Sequence, residues 1–115
     1  MNACTHELIV RQRATPILVL AIEPQPGLHV YRQPEELLTS ADLYVWRLGH
    51  HSGHAIAKFE YPGDADDAAW AIRDLADWTK TADEIRAELD GDTVRDALEQ
   101  SPGIFLSALR KADAA

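Results

Sequence analysis

At 115 residues, 46% hydrophobic and 26% charged, the chain has the size and composition of one ordinary globular domain, which argues against a disordered or fibrous protein. Its net charge of −8 opposes contact with phosphate backbones and anionic membranes. A lone cysteine, Cys4, excludes an internal disulfide and leads to the expectation of a reducing, cytoplasmic setting.

Residues 1–115 read as a single domain, strand-rich over 7–61 and helical over 64–112. Arg11 and Arg13 precede the apolar run 16–22, which faintly imitates a signal peptide. The run stops at Glu23, lacks a small-residue cleavage site, and falls far short of the roughly 20 residues a bilayer span needs. It reads as a buried strand, and no membrane association is expected. Residues 8–12 and 17–23 are predicted strands, and 28–32 follows the turn Pro24-Gln25-Pro26-Gly27 as a third. Residues 34–38 form a short helix opened by Pro34. Residues 42–48 and 54–61 then make a hairpin through Gly49-His50-His51-Ser52-Gly53, a turn expected to be solvated and tolerant.

The period changes after Tyr61-Pro62-Gly63. Over 64–78, Ala65, Ala68, Ala69, Ile72, Leu75 and Ala76 share one side of a predicted helix. Thr81 and Glu84 make a capping box for a helix ending near Asp90-Gly91. Asp92 or Thr93 starts another, burying Val94, Ala97 and Leu98, and Ser101-Pro102-Gly103 breaks it. Residues 104–111 fit either a strand or a helix with Phe105, Ala108 and Leu109 inward. The expected fold is α+β: a small N-terminal antiparallel β-sheet followed by three or four C-terminal helices packed on it.

Charge is unevenly spread. Residues 1–59 carry five acids and five bases, whereas residues 60–100 carry thirteen acids and four bases, net −9. On the helix over 64–78, Trp70 lies opposite the apolar stripe, among Asp66, Arg73, Asp74 and Asp77. A large aromatic ringed by charge has the composition of a protein-binding hot spot. The plainer reading is a second-layer core residue covered by later helices.

His50, His51 and His54 are the candidate metal ligands. A zinc site needs three or four converging donors, and Cys4, His6 and His29 could join them only through tertiary contact. No Cys-x-x-Cys or His-Glu-x-x-His spacing occurs, so neither a metal nor another cofactor is expected. Ser52 between histidines and Cys4 beside His6 are the possible nucleophiles, yet no catalytic fingerprint surrounds them, and an enzyme is not expected. Asp64, Asp66 and Asp67 lack the glycine and glutamate of a calcium loop and suit a helix N-terminus.

Residues 81–110 have the pattern of a helix-turn-helix, with Ile85, Leu89, Val94 and Leu98 as packing positions. The would-be recognition helix, 92–100, carries three acids and one base, which opposes phosphate contact. The expected function is therefore a non-catalytic acidic regulatory or adaptor protein whose partner has a basic surface or is a second copy of the chain. A mobile-element or phage accessory protein that inhibits a nucleic-acid-binding machine would suit such a surface, as would an acidic subunit of a bacterial complex. A DNA-binding regulator using 81–110, and a small enzyme or metal protein using the histidine turn, are the alternatives.

Overall fold

A computed structural model describes residues 2–9 and 14–106. Its centre is a six-stranded antiparallel sheet in which every neighbour is the next strand in the chain: β1 (Asn2–Leu8), β2 (Ile17–Gln25), β3 (Leu28–Arg32), β4 (Trp46–His50), β5 (Ala55–Phe59) and β6 (Ile104–Phe105). A 3-10 turn, Glu35–Leu37, lies between β3 and β4, and three helices separate β5 from β6. The protein is thus α+β, with three helices among the described residues.

Side-chain alternation divides the sheet into two faces. Val30 pairs with Ile22 on one side and Leu48 on the other, and these face the helices. Tyr31 pairs with Ala21 and Arg47 on the opposite face, where His6 lies across from Val19 and Leu8 from Ile17. Pro24, which has no N–H to give a ladder, sits in the register shift between Ile22 and Gln25. The sheet also curls. A Cβ on Gly53 would fall 2.8 Å from the Glu7 carbonyl, so the end of β1 lies against the β4–β5 turn. Leu8, Ala21 and Tyr31 are buried inside this curl, with Cys4, Ile17, Val19 and Leu37 packed around them.

Helix α1 (Pro62–Ile72) opens with proline at a position whose N–H would be unpaired anyway. It buries Ala65, Ala68, Ala69 and Ile72 against β2, β3, β4 and β5. Three of these four are alanines, which let the helix approach the sheet closely. Helix α2 (Ala82–Glu88) begins with the predicted capping box, Thr81 and Glu84 each bonding the other's backbone N–H. Helix α3 (Gly91–Ala97) is capped by Asp90, whose carboxylate accepts from the Asp92 N–H at 3.0 Å. Ile85, Val94 and Leu98 complete a core with Leu28, Val30, Leu48, Ile56, Phe59 and Trp78. Each large side chain there contributes roughly 1.5–3 kcal/mol by leaving water.

The structure corrects several sequence expectations. The first strand starts at Asn2 and ends at Leu8 rather than covering 8–12, whose residues 10–12 lie outside the described residues. The helix predicted over 64–78 stops at Ile72, because the chain turns through Arg73–Ala76 to bring Trp78 into the core. There the indole N–H bonds the Ile72 carbonyl at 2.9 Å, alongside the Leu75 N–H at 3.1 Å, tying the residue to the end of α1. The sheet is not wholly N-terminal, since Ile104 and Phe105 return to pair with Lys58 and Ala57. That makes the start of 104–111 a strand; residues 107–111 lie outside the described residues. Among the described residues no helix is long and apolar enough to cross a membrane.

Gly27 provides a test of how the helical layer meets the sheet. Its φ is +85°, and a Cβ there would lie 2.1 Å from the Trp78 carbonyl oxygen. Gly27→Ala is expected to cost more than about 2 kcal/mol in urea unfolding, from strain and overlap together. Gly63→Ala, which meets open space on α1, is expected to be neutral or stabilising by up to about 1 kcal/mol in the same assay.

Candidate functional site

The histidine turn is not a solvated loop. His50 ends β4 fully buried, Gly53 is also buried, and only His51 of this segment is exposed. Burial follows from the chain's need to satisfy the Trp78 carbonyl, which accepts from His50 Nε2–H at 2.8 Å. That bond fixes the tautomer, so Nδ1 is an acceptor, and the Ser52 hydroxyl donates to it at 2.7 Å. Ser52 Oγ in turn accepts from His54 Nδ1 at 2.9 Å. His51 Nε2 donates to the Lys80 carbonyl at 2.9 Å. His50 and His54 thus share the Ser52 hydroxyl, while His50 and His51 clamp the segment between α1 and α2 onto the turn. Ser52 and His50 have the contact of a nucleophile and its base, but burial and the neighbouring His51 push the His50 pKa down to about 4, which makes it a weak base.

A second histidine network lies inside the curl of the sheet. His29 Nε2 donates to Glu23 Oε2 at 3.3 Å, and the same oxygen accepts from the Gly27 N–H at 3.1 Å. His29 Nδ1 is then the acceptor for His6 Nδ1–H at 2.9 Å. The His6 ring stacks on Tyr31 with centroids 4.2 Å apart, and its Nε2 is buried with no hydrogen-bond partner among the described residues. Burial, followed by the nearby His29, His50 and His51, lowers the His6 pKa to about 4. Burial also lowers His29, against the pull of Glu23. Among the described residues no three His, Cys, Asp or Glu side chains converge as metal ligands. His6, His29 and Glu23 were not joined by sequence reasoning. The available signal was alternation: His6 sits between Cys4 and Leu8, and His29 two residues before Tyr31, all on one strand face.

The outer face of α1 is where the sequence placed the interaction residues. Trp70 keeps 52% of its surface exposed, so α2 and α3 do not cover it as a core residue. The Arg73 guanidinium lies over its ring, 4.2 Å from the centroid, and Nη1 donates to the Trp70 carbonyl at 2.6 Å. Arg73 Nε also approaches Asp74 at 3.6 Å. Asp66 stands one turn before Trp70 and is half-buried, with Oδ1 lacking a partner among the described residues. Asp77 lies five residues beyond the helix, where its carboxylate accepts from the Thr79 N–H and hydroxyl. Trp70, Arg73, Asp74 and Asp66 thus follow one another along α1 and its exit turn, while Asp77 serves the next turn.

In the C-terminal pair, Ile85, Val94 and Leu98 are buried as predicted and Leu89 is half-buried. Each helix has only seven residues, and Arg95 on α3 is engaged by Asp92 and Asp96. No family model, curated protein or solved structure matches the chain.

His6 and His50 predict how stability depends on pH. Both fold with pKa values near 4, whereas an unfolded histidine takes up its proton near 6.5. Below 6.5 the unfolded chain binds more protons than the folded one, so stability is full above that pH and falls as pH drops towards 4. The expected loss between pH 7 and pH 4.5 is on the order of a few kcal/mol, measured by urea unfolding. His6→Phe keeps a ring on Tyr31 and removes one titration, and it should flatten part of the fall; an unchanged slope would contradict the assignment to His6.

Proposed function

We propose that this protein is a non-catalytic regulatory or adaptor protein that binds a basic segment of a protein partner through the outer face of α1. One observation carries the reading: a tryptophan half in water, on the far side of the helix from its buried stripe. An indole left there forfeits part of the roughly 1.5–3 kcal/mol that burial of a large apolar side chain returns.

The chemistry around Trp70 favours a cationic partner. Arg73 stacks on its ring, a geometry that suits a guanidinium. Asp66, Asp67 and Asp74 surround it, within a segment whose net charge is −9. Lys or Arg side chains of a partner would meet both the ring and the acids, and the field would speed their approach. A second copy of the chain would bring the same acids face to face, so a homodimer through this surface is disfavoured. The same charge speaks against the DNA-binding alternative at α3, whose arginine is engaged by its own acids.

The test compares wild type with Trp70→Ala. Because Trp70 contributes little to the core, the variant should lose less than about 1 kcal/mol of folding stability. It should capture the partner from the native host at least tenfold more weakly, and wild-type capture should decline as salt is raised. A stability loss of about 3–5 kcal/mol would return Trp70 to the core. Capture unaffected by the substitution would place the interface elsewhere. A wild-type dimer that Trp70→Ala converts to monomer in sedimentation would make the second copy the occupant.

A further inference from the structure

We propose that the cleft beside Tyr31 and Arg47, on the sheet face away from the helices, binds a small organic monocarboxylate. Tyr31 and Arg47 are directly opposite each other on β3 and β4. With Leu8, Ile9, Gln33 and His54 they line an open cleft of about 500 Å³, within the range of small-molecule sites. This site is separate from the α1 face and does not depend on the reading of Trp70.

Among the described residues, two lining side chains carry an unpartnered buried oxygen and a third is only partly engaged. Tyr31 is 1% exposed, yet its hydroxyl has no hydrogen-bond partner among the described residues. Gln33 Oε1 is likewise buried and unpartnered. Arg47 is half-buried; its Nη1 donates to the Tyr44 and Trp46 carbonyls, which leaves Nε and Nη2. No carboxylate among the described residues forms an ion pair with it. The nearby Asp42 is turned to the Thr39 N–H, 2.9 Å away. Buried polar groups in folded proteins are overwhelmingly paired, so two unpartnered oxygens beside a partly engaged guanidinium in one cleft point to a molecule that meets them.

The unmet needs define that molecule. Arg47 offers the N–H groups of Nε and Nη2, and the Tyr31 hydroxyl a further donor, which suits a carboxylate. Gln33 Oε1 offers an acceptor to a hydroxyl or amine beside it. Leu8, Ile9 and Ala55 form apolar wall for a short hydrocarbon body. Among the described lining residues, Arg47 is the one side chain that carries full charge at neutral pH, since burial lowers the His54 pKa. One guanidinium balances one negative charge, whereas a phosphate dianion would leave an uncompensated charge in a half-dry site.

The probe is 2-hydroxy-4-methylpentanoate, compared with its neutral amide and with isobutyl phosphate, followed by NMR of the labelled full chain. The acid should give saturable shifts at Tyr31, Arg47 and His54, with the amide at least tenfold weaker and the phosphate no tighter than the acid. Arg47→Gln should lose the response. Tyr31→Phe should weaken the acid about fivefold while leaving the thermal midpoint unchanged or higher, because it removes an unpartnered buried hydroxyl. Equal binding of acid and amide, tighter binding of the phosphate, or shifts that never saturate would overturn the proposal. So would a lowered midpoint in Tyr31→Phe, which does not rely on Arg47→Gln folding and would show that the hydroxyl has a structural partner.

Discussion

The carbonyl of Trp78 is the point on which the two layers of this protein are joined. It accepts a hydrogen bond from a histidine at the end of β4 and lies so close to Gly27 that no side chain fits between them. The indole of the same residue is buried in the core and ties back to the last carbonyl of α1. One residue therefore ends a helix, fills the space between sheet and helices, and presses its backbone against the turns at one end of the sheet. A hydrogen bond between neutral groups adds only about 1 kcal/mol, but an unmet carbonyl at that depth would cost about 1–3 kcal/mol. This asymmetry explains why a histidine, rather than an apolar residue, occupies a fully buried strand position.

Both histidine networks follow from the same constraint. His50 donates to Trp78 from Nε2, and it must be neutral for Nδ1 to accept from Ser52. On the other face, Glu23 holds the Gly27 turn and orients His29, which receives His6. Gly27 thus meets Trp78 through its open Cα and Glu23 through its N–H. Among the described residues neither network gathers three side chains that could ligate a metal. Besides His6 Nε2 and Asp66 Oδ1, incompletely bonded groups among the described residues lie at Tyr31 on β3, Gln33 just beyond it and Arg47 on β4.

Much of the architecture was legible because local rules and tertiary needs agreed. The Thr81–Glu84 box, the alanine stripe of α1 and the span of β3 all depend on interactions within a few residues. The exposed position of Trp70 was legible for the same reason, since helical period alone puts it opposite Ala65, Ala68 and Ala69. Features decided by distant partners were not legible. His50 looked like part of a polar turn because its partner is 28 residues away. The end of α1 was overrun because Leu75 and Ala76 continue the apolar period, although the chain there bends to deliver Trp78. β1 was missed because a polar histidine occupies an inward position, and β6 is only two residues long.

The order of the strands also governs how the chain assembles. Every strand from β1 to β5 pairs with its sequence neighbour, so each ladder closes a short loop at small entropic cost. These hairpins can form in succession as the chain lengthens, without waiting for residues far downstream. β6 is the exception: it reaches β5 only after α1, α2 and α3 have been laid down between them. Until then the free edge of β5 carries unmet backbone groups beside an uncovered core. In the native fold the helical segment covers this core, and its heavy negative charge opposes the close approach of like chains.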